Sequence, residues 1–99
     1  MPVYIDNMEA SFGRMKMCHM GADSTEELLS MVDRIGVQRK WIQYPGTWKE
    51  HFDICISKRA KAVVLGAQEV TMYEFVNNQI RKRNLLKGEE HGNHQMVER

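Results

Sequence analysis

The sequence predicts a small α/β fold, a sheet of three or four strands with about three helices packed on it. Three observations carry that expectation. Stretches of period-two alternation are interleaved with stretches of period 3.6, two Ser/Thr-x-x-Glu capping boxes mark helix starts, and 99 residues suffice for one domain only. Strands that alternate with helices favour a sheet whose helices cover it. Residues 1–86 are expected to form this single domain and residues 87–99, which lack apolar periodicity, a disordered tail.

Pro2-Val3-Tyr4-Ile5 is short, β-branched and aromatic, and Asp6-Asn7 is a turn signal, so the chain is expected to open with a buried strand. After a loop containing Gly13, residues 14–20 alternate, with Met15, Met17 and His19 on one face and Arg14, Lys16, Cys18 and Met20 on the other. Ser24-Thr25-Glu26-Glu27 is the first capping box. Leu28, Met31, Val32 and Ile35 follow at i, i+3, i+4 and i+7, and Gly36 offers the left-handed residue that ends a helix. Residues 39–43 read as another strand, with Trp41 in the core, and 44–52 as a loop begun by Tyr44-Pro45-Gly46.

A second helix is expected to start between Asp53 and Ser57 and to stop at Gly66. Its buried stripe would be Ile56, Ala60, Val63 and Val64, and its outer face Lys58, Arg59 and Lys61. Residues 68–70 fit only a brief strand. Thr71-Met72-Tyr73-Glu74 repeats the capping box and launches a third helix with Met72, Phe75, Val76 and Ile80 as its stripe. Arg81, Lys82 and Arg83 suit the negative pole of that helix.

No apolar run approaches the roughly 18 residues of a membrane span, so no membrane partner is expected. Two cysteines, Cys18 and Cys55, and an N-terminus without a basic region point to a reducing, cytoplasmic setting. The net charge of +1 conceals unlike segments. Residues 1–33 carry two basic against six acidic side chains, a net of −4, whereas residues 34–61 carry seven against two, a net of +5. Such a basic block attracts a small anionic, nucleotide-like ligand. A pI near 7.8 lacks the excess expected of a nucleic-acid binder. A chain this small buries a thin core, so homo-oligomerisation would help it.

Glycine-rich phosphate loops and a nucleophile elbow are absent. Cys18 and His19 point to opposite faces of one strand, which leaves Cys18 with His51 as a pairing only the fold could make. Glu50-His51-Phe52-Asp53 is the most chemically dense segment. In extended backbone His51 and Asp53 project to one side, which suits a metal-ligand pair or a carboxylate fixing an imidazole tautomer, while Asp53 could equally cap the second helix. Asp6 and His19 would complete a His/His/Asp/Asp cluster if the loops converge. Spacing alone assigns no metal and no cofactor, and His91 with His94 in the tail is too sparse a pair to do so. For anion binding, Arg14, Lys16, Arg34, Arg39, Lys58 and Arg59 supply charge. Trp48, ahead of Tyr44 and Trp41, is the stacking candidate.

Val3-Tyr4-Ile5-Asp6-Asn7, residues 13–20 with Ala22-Asp23, Ile35-Gly36 before Arg39 and Trp41, and His51-Phe52-Asp53-Ile54 before Ser57-Lys58-Arg59-Ala60 together resemble an uncharacterised family of short bacterial and phage proteins, domain of unknown function 4031. The resemblance spans about residues 3–70, with a longer loop at 44–50 and Phe52 in place of Tyr. It implies a small, often phage-borne protein with no established activity, and polar site positions at Asp6, Arg14, His19, Arg39, His51, Asp53, Lys58 and Arg59.

The leading expectation is a non-enzymatic module that binds an anionic, nucleotide-like ligand, in a phage setting a sequestered host nucleotide signal, in the host cytoplasm. The alternative is a small hydrolase or nuclease using His51, Asp53 and Asp6, with or without a divalent metal. A third is an inhibitor that docks on a host protein.

Overall fold

A computed structural model of the chain describes residues 3–7, 10–12 and 15–91, with side chains described for 3–7 and 16–85. In chain order the elements are β1 (Val3–Ile5), β2 (Ala10–Phe12), β3 (Met15–Ala22), α1 (Thr25–Ile35), a 3-10 turn (Arg39–Trp41), β4 (Phe52–Cys55), α2 (Ile56–Val64), β5 (Gln68–Glu69) and α3 (Met72–His91). They form one mixed sheet with three α-helices, the α/β architecture that the alternating periodicities predict.

β3 is the central strand. β1 and β2 pair antiparallel with its two ends along one edge, β4 pairs antiparallel along the other, and β5 adds parallel to β1. Ile5 faces Met20 while Ala10 faces Met17, so the first edge carries two residues more than β3 between those pairs. This is a bulge, and it begins at Asp6.

The period of two sorts the sheet into unlike faces. Val3, Ile5, Cys18, Met20, Ala22, Phe52 and Ile54 point to one side and join Leu28, Met31, Val32, Ile35 and Ala62 in a continuous core under α1 and α2. Phe52 and Ile54 set the register of β4. A one-residue slip would turn both out of the core, at about 1.5–3 kcal/mol each. The opposite face carries Tyr4, His19, Gly21, Asp53 and Cys55, and α3 crosses it with Phe75 as its one fully packed residue among those described. The Phe75 ring meets Tyr4 edge-on at 5.3 Å, and Gly21 leaves the space for both.

α1 forms as its capping box dictates: Ser24 Oγ accepts from the Glu27 N–H, Gly36 at φ 82° ends the helix, and Leu28, Met31, Val32 and Ile35 are buried. The Thr71 box at the start of α3 is fully reciprocal, with Thr71 Oγ1 accepting from the Glu74 N–H and Glu74 Oε1 from the Thr71 N–H. Several elements differ from the sequence expectation. Residues 39–43 form a 3-10 turn and a single bridge from Gln43 to His51 instead of a strand, because the Arg39 guanidinium turns back in a two-pronged bond to Asp33. Trp41 is therefore 61 % exposed instead of in the core, with the Lys40 ammonium over its ring.

Phe52–Cys55 is a strand, not loop and helix cap, since β3 has a free edge that accepts it. Asp53 consequently caps nothing, and Cys55 holds the N-cap position of α2. The buried side of α2 is Ala62, flanked by Val63, whereas Ile56, Ala60 and Val64 face outward. The helix starts within the expected window, but its buried face is rotated from the expected stripe, with Lys58 and Arg59 half-buried instead of on the outer face. Met72 and Val76 are likewise exposed, leaving Phe75 and the half-buried Ile80 as the packed part of the α3 stripe. α3 runs to His91, into the stretch read as a tail, and residues 92–99, with His94, lie outside the described residues. Among the described residues no helix is long and apolar enough to cross a membrane.

Candidate metal centre

The register that buries Phe52 and Ile54 also sets His19 directly opposite Asp53 on the other face. His51, two residues before Asp53, falls on the same face and closes a loop with Gln43 through two backbone hydrogen bonds of 2.9 and 3.1 Å. On the far edge of β3 the bulge brings Asp6 beside His19. The four residues of the anticipated His/His/Asp/Asp cluster thus come together, three through strand pairing and the fourth through the bulge.

Asp6 is wholly buried, and its carboxylate takes two bonds from one residue: the His19 backbone N–H at 2.8 Å and His19 Nδ1 at 2.7 Å. The side chain thereby replaces a rung of the ladder that the bulge interrupts. Its backbone carbonyl accepts from Arg59 Nε at 3.0 Å, and Arg59 Nη1 reaches Glu69 at 3.2 Å. The hydrogen bond to Asp6 holds the His19 pKa above its ordinary value, against a smaller opposing effect of burial.

Because a carboxylate only accepts, Nδ1 of His19 carries the proton and its Nε2 is the free position in the neutral ring. His51 Nδ1 likewise donates to the Lys49 carbonyl at 2.7 Å, which frees its Nε2. Both Nε2 atoms face Asp53 Oδ1, at 3.7 Å from His19 and 3.5 Å from His51. These distances exceed hydrogen-bonding range. Asp53 Oδ1 is a buried oxygen without a hydrogen-bond partner, while Oδ2 is held by Gln43 Nε2 at 2.6 Å.

One potential ligand atom from each of His19, His51 and Asp53 lies within 4.8 Å of the other two. Ligand atoms about 2.0–2.1 Å from a tetrahedral zinc ion stand about 3.4 Å apart, close to the two histidine–Asp53 distances of 3.7 and 3.5 Å. Each ligand is also oriented from behind, by Asp6, by the Lys49 carbonyl and by Gln43, as metal-binding groups characteristically are. Two imidazoles and one carboxylate are a donor set for zinc and neighbouring first-row divalent ions. The side chains of His19, Asp53 and His51 are 26 %, 38 % and 12 % exposed, so the cluster opens to solvent on the Asp53 side.

The remaining expected site residues do not join this centre. Arg39 is paired with Asp33, and Lys58 lies against Gly36 at the end of α1. Arg59 serves Asp6 from behind, and Arg14 lies outside the described residues. The Trp48 ring, instead of standing free to stack, is engaged by the Lys49 ammonium at 5.2 Å and the Arg83 guanidinium at 5.4 Å, which tie it to α3. Cys18 is buried on the core face, donates to the Ile54 carbonyl, and cannot pair with His51. Burial pushes its thiol up to about 11.

Three contributors escaped the sequence reading. Gln43 was placed in a strand, Glu50 is buried and braces the loop through the Gly46 N–H and Thr25, and Phe75 packs on both histidine rings. A Gln eight residues before His51 gave no signal of its own, but a buried Glu in a polar loop is one that loop closure makes intelligible.

A family profile described as protein of unknown function (DUF4031) matches residues 3–82. No curated protein and no solved structure matches the chain. The match takes in all four residues of the cluster, and the chain belongs to that family.

Proposed function

We propose that this protein is a metal-dependent hydrolase of phosphate esters, with a divalent transition-metal ion held by His19 Nε2, His51 Nε2 and Asp53 Oδ1. The observation that carries the reading is the buried Asp53 Oδ1, without a hydrogen-bond partner, between two imidazole nitrogens whose other ring nitrogens are already committed. A carboxylate oxygen left so is costly unless something positive meets it.

Three protein ligands are the number found in catalytic rather than closed structural zinc sites, and the ion supplies Lewis-acid chemistry to an oxygen bound in the remaining position. The chain's own groups do the rest. Asp6 and the Lys49 carbonyl hold the two imidazoles in register, Gln43 fixes the carboxylate, and Phe75 keeps water off the back of both rings. The Lys49 ammonium, over the Tyr44 ring that stacks on His51 and within the basic middle block, favours an anionic substrate. The anionic, nucleotide-like ligand expected from the sequence is then that substrate. The basic side chains offer no comparable convergence of their own, since Arg39 and Arg59 have carboxylate partners.

The test is hydrolysis of a panel of phosphomonoesters and phosphodiesters by protein loaded with zinc, manganese or cobalt. Turnover that is lost in His51→Ala, with the circular dichroism spectrum retained, is expected. A folded, metal-loaded protein inert across the panel would contradict the hydrolase assignment.

A further inference from the structure

The loop that closes the site contains a backbone conformation that its sequence disfavours. Tyr44 adopts φ 53°, the left-handed region, and among the described residues it is the only one other than glycine to do so. A bulky residue is rarely found there, and the following Pro45 disfavours helical conformations at Tyr44 further. The loop enforces the geometry from both ends. The Gln43–His51 bridge closes it, the Tyr44 carbonyl accepts from Thr47 N–H and Oγ1, and buried Glu50 takes the Gly46 N–H. Strain maintained so thoroughly marks a residue whose side chain is being aimed.

The aim is onto the metal centre. The Tyr44 ring lies 6.1 Å from the His51 ring at 30°, yet remains 56 % exposed. The Lys49 ammonium sits 5.6 Å from its centre. An exposed aromatic platform beside a ligand imidazole, with an ammonium over its ring, matches a substrate that joins a planar ring to an anionic group.

Resting on the metal-centre reading, the geometry points to Tyr44 as the specificity-determining residue for a nucleoside phosphate, the base stacking on the Tyr44 ring and the phosphate lying between the metal ion and Lys49. Lys49, on a flexible stem, leaves the ring for the phosphate when the base arrives. Trp48 does not compete for the base, because its ring is engaged by the Arg83 guanidinium of α3 at 5.4 Å.

The test compares adenosine 5′-monophosphate with ribose 5-phosphate, which differ only in the base, by calorimetric titration of zinc-loaded protein. Base–aromatic stacking predicts that the nucleotide binds about tenfold more tightly. Tyr44→Ala should erase that ratio, and Tyr44→Phe should preserve it. Equal affinities in the wild-type protein, or a ratio that survives Tyr44→Ala, would overturn the assignment of Tyr44 and leave the metal centre standing. Failure of both compounds to bind zinc-loaded protein would overturn the phosphate-ester reading as well, and failure to bind zinc would overturn the metal centre itself.

Discussion

Asp6 is the residue on which the site should prove most sensitive, although it faces neither solvent nor the proposed ion. Its carboxylate is the only acceptor shown for the His19 side-chain N–H, and it also takes the His19 backbone N–H. Asp6→Ala leaves both donors unpaired in a partly buried setting, at about 1–3 kcal/mol each, so a loss of about 2–6 kcal/mol is expected. A domain of this size has about 5–15 kcal/mol in total, so the loss is a large fraction of its stability. Asp6→Asn retains one oxygen and hence one of the two bonds, and should cost about 1–3 kcal/mol.

Urea unfolding in the presence of a chelator reads these values without a contribution from metal. At a slope of about 1–3 kcal/mol/M, Asp6→Ala moves the midpoint down by on the order of 1–3 M, and Asp6→Asn by less. In the metal-loaded protein Asp6→Asn should also weaken metal affinity about 10- to 100-fold, since the orientation of His19 is lost. An Asp6→Ala protein within about 0.5 kcal/mol of wild type, the range of an ordinary surface substitution, would refute the bulge-bridging role.

Two further perturbations test the packing around the centre. A Cβ at Gly21 would stand 3.0 Å from Tyr4 Cε1 and 3.1 Å from Phe75 Cζ, so Gly21→Ala should cost about 1–3 kcal/mol by thermal or urea unfolding. An unchanged midpoint would mean that α3 does not pack there. The two thiols should also differ in reactivity, because burial raises the Cys18 pKa to about 11 whereas hydrogen bonding to Ser57 and the Lys58 N–H lowers that of Cys55. Since the thiolate is the nucleophile, native protein treated with iodoacetamide at pH 8 should be alkylated at Cys55 alone, as peptide mass mapping reports, and at Cys18 only after unfolding. Equal labelling of both in native protein would contradict the assignment of Cys18 to the core face.

Much of this centre is legible in the chain. The alternation through Met17, Cys18 and His19 gives His19 its face, and the spacing of His51 and Asp53 gives them a common side once their segment is extended. That the segment is extended was not legible. Phe52–Cys55 runs directly into α2 with no turn residue between, and it becomes a strand because β1 and β2 occupy only one edge of β3 and leave the other to fill. The bulge at Asp6 was hidden for a related reason: a turn signal and a bulge share the same residue types, and only the pairing of β2, read as loop, separates them. The exposure of Trp41 and the pairing of Arg39 with Asp33 show the opposite failure. There an alternating, strand-like stretch makes only the Gln43–His51 bridge and otherwise forms a turn, with Arg39 paired to Asp33.

The central claim is that His19, His51 and Asp53 hold one divalent ion. Calorimetric titration of zinc into chelator-stripped protein, beside His19→Ala, His51→Ala and Asp53→Ala, tests it directly. The account predicts one zinc per chain in the wild type and a loss of at least tenfold in affinity in each variant. Absence of zinc binding by folded wild-type protein, or affinity that survives all three substitutions, would contradict it.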